Sequence, residues 1–448
     1  MSTIANYVGG SPTPRILRIC FAVIIAAALL LWSVAASNLA AARHTVQTIG
    51  KDTVPSIVAA EEIRANLADA NANAANASLS SGDAAKQAWE KYEKDLSTAA
   101  DRLVTAAQNI AYGEQDRVPI LTMVIQIRSY AEMVATARAR GFPEGAAILR
   151  PASKLMHDTI LPAADALDQA NFIHLKREYA QSRSDGAFAL GTILASAVLL
   201  FAALVHTQLL LTRRFHRYIN IPLATASLLL VGFTAWLAIG VLTVQHQLKT
   251  AKEDAFDSIH ALWRARALAF DVRGDESLYL MDGGSDEFEK SFRQKSALLA
   301  STPITENTLK EAFLNGTMPI VGVGGLLGDE LRNITFSGER EAATAMVDWY
   351  RRYMEIDAKI RSAQKAGNHA KALQLCIGNY EGDSNWAFAQ FDKSLGETLD
   401  INQREFDAAV KEAFAALDWL PIMAPITAAL IVFLSWHGLQ ARIDEYRV

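Results

Sequence analysis

Four long apolar stretches limit what this chain can fold into more than any other feature. They cover residues 17–37, 187–211, 222–244 and 419–439, and Arg18, at the edge of the first, is their only Lys, Arg, Asp or Glu. A hydrocarbon core about 30 Å thick is crossed by roughly 20 apolar residues in a helix. The sequence therefore predicts four transmembrane helices, and the 51% hydrophobic content of the 448 residues fits a membrane protein.

The first stretch could be a cleaved signal peptide or a retained helix. Arg15 and Arg18 form a basic leader, and Ala35-Ala36-Ser37 has the small residues of a cleavage site. The apolar run is longer than the 7–15 residues or so of a signal peptide. We therefore favour a retained membrane helix.

Flanking charges predict the orientation. The short connection 212–221 carries three arginines and no acidic residue. Short basic loops stay in the cytoplasm. An even number of crossings then places residues 1–16 and 440–448 there as well, so that 38–186 and 245–418 lie outside. The expected location is the plasma membrane, crossed several times.

These two outer segments carry signs of an internal duplication. Ser56-Ile57 matches Ser258-Ile259, and at the same offset Arg64-Ala65 matches Arg266-Ala267 and Asp69 matches Asp271. Both segments are rich in helix-forming residues and have apolar residues spaced by three and four. The predicted fold is all-α: four transmembrane helices and two duplicated extracytoplasmic domains, each an antiparallel four-helix bundle.

No constellation of residues indicates catalysis. His157, His174 and His260 are isolated in sequence, and the glycines at 322–328 lack the Lys-Ser/Thr ending of a phosphate-binding loop. Cys20 and Cys376 cannot pair, because one lies in a membrane stretch and the other in an outer segment. We expect no enzyme activity, no cofactor and no metal, and the net charge of −5 gives no reason to expect nucleic-acid binding.

Charged residues on the first helix of each outer segment are candidates for ligand binding. Arg64 and Arg266 each lie on a seam of apolar or small residues, with Asp69 and Asp271 one to two turns further on. A guanidinium in such a place can bind a carboxylate through two parallel hydrogen bonds. The alternative is an internal ion pair. The nearby asparagines 71, 73 and 76 are expected to form a solvated helix face.

Two surfaces are candidates for partner binding. One is the basic connection with Arg213, Arg214 and Arg217, which could also contact anionic lipid. The other is the Gly-rich apolar segment 313–332, present only in the second copy. It is either a docking loop or a cap over its bundle, and its candidate contacts are Met318, Ile320, Val321, Leu326 and Leu327.

Parts of the chain resemble known families. The stretch from Lys51 to Leu67, and its counterpart from Ala255 to Ser277, resembles the opening of chemoreceptor-type four-helix-bundle sensor modules. The run from Leu326 to Phe336 with Gly338 to Ala343 resembles actinobacterial four-span membrane proteins. One branch of these links a glutamate/aspartate-binding lipoprotein to cytoplasmic protein kinase G.

These resemblances imply a sensory relay across the membrane. Its expected partners are membrane lipid, an extracytoplasmic solute-binding lipoprotein, a cytoplasmic Ser/Thr kinase and a second copy of the chain. The cytoplasmic segments are short, so an inward signal has to pass to another protein. The competing hypothesis is a membrane scaffold or assembly factor that displays helical bundles without signalling.

Overall fold

The protein is mainly helical in the part that its computed structural model describes, residues 13–108, 113–215, 219–301, 304–305 and 323–444. No strand occurs in these ranges, which confirms the all-α prediction. The α-helices are α1 Thr13–Gln47, α2 Val54–Leu79, α3 Gly82–Gln108, α4 Glu114–Arg140, α5 Ala146–Leu155, α6 Leu161–Phe215, α7 Ile221–Lys249, α8 Asp257–Met281, α9 Asp286–Leu299, α10 Gly325–Arg332, α11 Glu339–Lys365, α12 His369–Ile377, α13 Ser384–Asp418 and α14 Leu420–Asp444.

One compact unit, here the membrane unit, comprises Met1–Thr48, Arg177–Lys249 and Ala409–Val448. In it α14 packs against both α1 and α7. Large apolar side chains face outward, with Phe188 70% and Leu228 75% exposed. Within the described ranges, four helices are long and apolar enough to cross a membrane. Such a surface is favourable in lipid, so the chain is a membrane protein; the side on which its ends lie stays a prediction.

The second compact unit, here the polar unit, comprises Ile49–Lys176 and Thr250–Ala408. It contains most of both outer segments of the predicted topology, which were expected to form separate bundles. Helix α2 packs against α3 and also against α8 of the other segment. The reason lies in α2 itself: every residue from Leu67 to Ala77 is buried, and a stretch of helix with no solvated face has to be surrounded.

The duplication is visible in an unusual backbone feature. Short π-helical turns occur at Thr48–Thr53 and Thr250–Phe256, directly before α2 and α8. Their positions correspond at the offset that aligns Ser56 with Ser258. The π-helix is rare, so two such turns at matching positions support a duplicated unit.

Candidate ligand-binding cavity in the polar unit

Buried polar side chains line the central pair of helices, α2 and α8. Asn71, Asn73 and Asn76 are between 1% and 3% exposed, so the expectation of a solvated asparagine face is wrong. These residues alternate with alanines, whose small size lets neighbouring helices approach from every side. Each buried amide then needs a partner within the protein.

Arg273 of α8 connects the two segments through hydrogen bonds. Its Nη1 donates to Asp69 Oδ1 at 3.0 Å, and its Nη2 donates to Asn73 Oδ1 at 2.9 Å. The Asn73 amide nitrogen donates in turn to Asp69 at 3.0 Å and to Asp95 at 2.8 Å. Lys91 of α3 adds an ion pair with Asp69 at 3.2 Å. Two carboxylates, two cations and one amide thus form a connected network.

Electrostatics within this network favour a proton on one carboxyl. Burial, together with the charge of Asp69, raises the pKa of Asp95 to about 7. Two carboxylates this close cannot both ionise easily. Asp95 is therefore the carboxyl of this pair that takes up a proton.

A cavity of about 260 Å³ opens beside the network. The side chains around it come from both segments and are mainly polar or charged. The lining residues are Asn73, Asn76, Ser80, Ala84, Gln87, Ala88, Lys91, Arg273, Ile377, Asn379, Asn385, Phe388, Ala389, Asp392 and Lys393. With three cations and one carboxylate, the formal charge of the lining is positive.

Two features of the lining suit a bound polar molecule. Asn76 is 3% exposed and donates to Asn385 Oδ1 at 2.9 Å, but its own Oδ1 has no hydrogen-bond partner. A buried acceptor without a donor is costly unless a ligand or water supplies one. Lys91 keeps 49% of its side chain exposed and is thus accessible to a ligand.

The four predicted ligand-binding residues do not form a single site. Asp69 and Arg266 do not line the cavity but contact residues that do. Asp69 binds Arg273 and Lys91. Arg266 binds Asp392 through hydrogen bonds of 2.7 and 3.0 Å. This is the internal ion pair that the sequence analysis left as the alternative.

The other two members of that prediction lie in separate clusters. Arg64 Nη1 is 3.6 Å from Glu61 Oε2 and 3.3 Å from Asp165 Oδ1. Asp271 pairs with His157 at 3.1 Å. Burial opposes ionisation of Asp271, but Lys295 and His157 outweigh it and lower its pKa to about 2.

Sequence reasoning missed the residues that line the cavity itself. Arg273 follows Asp271 by two positions in the second copy, where the first copy has Asn71. Asn385 and Asp392 come from α13, more than 300 residues from Asn76. The alanine-rich composition of α2 was the available signal, because small side chains let neighbouring helices approach its asparagines closely.

The predicted partner-binding residues have mixed positions. Arg213 and Arg214 are exposed near the end of α6. Leu326 of α10 is partly buried and Leu327 is fully buried, which makes Leu327 a core residue. The remaining four lie outside the described residues: Arg217, Met318, Ile320 and Val321.

The fold and the cavity define a class: a multi-pass α-helical membrane protein whose polar unit contains an open polar cavity of about 260 Å³. Residues 45–180 match the family model of the actinobacterial sensor domain. That range covers α2 to α5 and the start of α6, the first of the two duplicated segments. No curated protein and no solved structure matches the chain. The family match indicates a sensory role.

Proposed function

We propose that this protein is a transmembrane sensor that binds a small polar ligand with an anionic group in the cavity of its polar unit. The observation that carries the proposal is the Asn76–Lys91–Arg273 lining, with a positive formal charge and an acceptor that lacks a donor. Asn76 and Lys91 lie within the segment that matches a sensor domain. In this proposal the chain has no enzymatic role.

The bound state would pass to a cytoplasmic regulatory partner such as a Ser/Thr kinase, with a solute-binding lipoprotein as a further partner outside. Helices α6 and α13 each carry residues of both units, so a shift of about 1–2 Å along either could transmit the signal. A coupling free energy of about 1–3 kcal/mol is enough for such a switch.

Ligand binding can be tested with two matched lysine variants of the full chain in detergent. Lys91 lines the cavity, whereas Lys86 of the same helix is 75% exposed and pairs with Glu90 at the surface. A panel of carboxylates, amino acids and inorganic phosphate is screened by thermal shift, and any hit is measured by calorimetry. We expect Lys91→Met to weaken binding by at least about tenfold, while Lys86→Met binds like wild type. Equal affinity in both variants, or no hit in the panel, would count against the cavity.

The scaffold hypothesis differs in what it predicts for Arg213 and Arg214. Replacing both with Gln should abolish the response of a cytoplasmic partner to ligand if the protein is a relay. A scaffold should keep its protein contacts. Cysteine labelling from either side of the membrane has to confirm that the variant retains its orientation.

A further inference from the structure

A second polar cluster lies in the polar unit, apart from the cavity. Glu61 of α2, Asp168 of α6 and His260 of α8 converge there from three helices. His260 Nε2 lies 3.1 and 3.2 Å from the two oxygens of Asp168 and 3.9 Å from Glu61 Oε1. One atom from each residue can be chosen so that all lie within 4.8 Å of one another. The side chains are 1%, 5% and 10% exposed, in the order Glu61, Asp168, His260.

The imidazole of His260 is held in one orientation by aromatic stacking. Its ring stacks on Phe172, with centroids 4.6 Å apart, and on Phe256, with centroids 5.7 Å apart. The interplanar angles are only 20° and 14°. The two phenyl rings therefore fix the plane in which Nε2 meets the carboxylates, as a metal ligand requires.

The carboxylate of Glu61 is a second, independent observation that points to a cation site. Glu61 is 1% exposed, and neither of its carboxylate oxygens has a hydrogen-bond partner. Its nearest cation, Arg64, is 3.6 Å away and shared with Asp165. A buried carboxyl group whose oxygens accept no hydrogen bond, and whose nearest cation is shared with another carboxylate, is costly unless a further cation binds there.

Another histidine–aspartate pair in the same unit shows how such a cluster is neutralised from within. His157 Nε2 is 3.1 Å from Asp271, and Lys295 Nζ lies 3.3 Å from the same nitrogen and 2.9 Å from Asp275. The ammonium group of Lys295 supplies the cation. In the described part of the chain, no lysine pairs with Glu61 or Asp168.

We propose that Glu61, Asp168 and His260 bind a divalent transition-metal ion. A metal with bonds of about 2.1 Å in tetrahedral geometry holds its ligand atoms about 3.4 Å apart, close to the separations between His260 and the two carboxylates. An imidazole with two carboxylates suits zinc, manganese or iron, whereas magnesium and calcium prefer oxygen alone. Inward-facing carboxylate and histidine ligands from several helices are a known way to build metal sites in helical bundles.

The ion would join the two duplicated segments. Glu61 and Asp168 belong to the segment that matches a sensor domain, and His260 belongs to the second segment. Metal occupancy would therefore stabilise the packing of α2 and α6 against α8. This site is separate from the proposed ligand cavity, with which it shares no lining residue.

The test uses the full chain in detergent, purified with a tag that contains no histidine and stripped with a chelator. Zinc binding is measured by competition with a fluorescent chelator, and cobalt is added separately to record its ligand-field absorption. We expect one tight site per chain, a tetrahedral or five-coordinate cobalt spectrum, and a rise in thermal stability with zinc.

Three ligand variants and one control complete the test: Glu61→Gln, Asp168→Asn, His260→Gln and the control His157→Gln. Each ligand variant should weaken zinc binding by about a hundredfold or more and lose the stabilisation by zinc, whereas the control should keep both. Circular dichroism and gel filtration establish that the variants are folded. Absence of zinc and cobalt binding to the wild-type chain at about 100 µM metal would overturn the proposal, whatever the variants do. So would ligand variants that bind zinc like the control.

Discussion

Replacing Arg273 with Met should loosen the centre of the polar unit. The change removes hydrogen bonds of 3.0 Å to Asp69 and 2.9 Å to Asn73, and a weaker one of 3.4 Å to Asn385, from a residue only 7% exposed. Breaking a buried ion pair by removing one partner costs about 3–5 kcal/mol. We expect the lower end, about 3 kcal/mol, because Asp69 keeps Lys91 as a partner at 3.2 Å.

Hydrogen exchange measured by mass spectrometry on peptides of α2 gives the local opening free energy without assuming that the whole chain unfolds in one step. The double variant Asp69→Asn/Arg273→Met, compared with the two single variants, gives the interaction energy between Asp69 and Arg273. The opening free energy of the double variant should fall by about 1–3 kcal/mol less than the sum of the two single losses. The reason is that neither Asp69 nor Arg273 is then left buried without the other. A loss below about 1 kcal/mol for Arg273→Met, or strict additivity in the double variant, would refute the view that Asp69 and Arg273 hold the segments together.

Two further predictions concern buried groups away from the cavity. Burial and the nearby charge of Asp357 raise the pKa of Glu276 to about 8. The folded protein therefore binds more protons than the unfolded chain between about pH 4.5 and 8. Its free energy of unfolding should fall by a few kcal/mol as the pH rises through this window. Glu276→Gln should flatten that slope in thermal unfolding, and an unchanged slope would contradict it. Leu327→Ala should lower the free energy of unfolding by about 2–5 kcal/mol, because Leu327 is 0% exposed. A decrease of less than about 0.5 kcal/mol would instead fit a surface docking residue.

The sequence was sufficient for the membrane helices because their signal is local: composition over about 20 residues decides whether a helix can lie in lipid. The helix content of the polar unit was also predictable from residue propensities. The pairing of α2 with α8 was not, since no local pattern states which buried helix will cover another. Asn73 illustrates the point: its polarity suggested solvent, but its contacts are Asp69, Asp95 and Arg273.

The same limit applies to both polar sites. Glu61 and His260 are about 200 positions apart in the chain, and each alone is unremarkable. Only the packing of α2, α6 and α8 brings them together with Asp168. Arg64 and Arg266 could be recognised as unusual because they interrupt an apolar seam, yet their partners Asp165 and Asp392 lie on other helices.

The two duplicated segments depend on each other, and this leads to a prediction about the segment that matches a sensor domain. Residues 45–180 supply Asn76 and Lys91 to the cavity, while Arg273 and Asn385 come from the other segment. Expressed alone, 45–180 would leave the contact face of α2 exposed, where a methyl group added at Gly274 would lie 3.6 Å from Ala72. Asp69 would also lose its buried partner Arg273.

We therefore expect the isolated segment 45–180 to be poorly folded, and to bind neither the ligands of the full chain nor zinc with comparable affinity. Co-expression with residues 250–408 should restore both a cooperative thermal transition and binding, since these two ranges together provide nearly all of the polar unit. Circular dichroism and size-exclusion chromatography measure the first, and calorimetry the second. If 45–180 alone is monomeric, cooperatively folded and competent to bind, each copy is self-sufficient and the shared core is not what creates the sites.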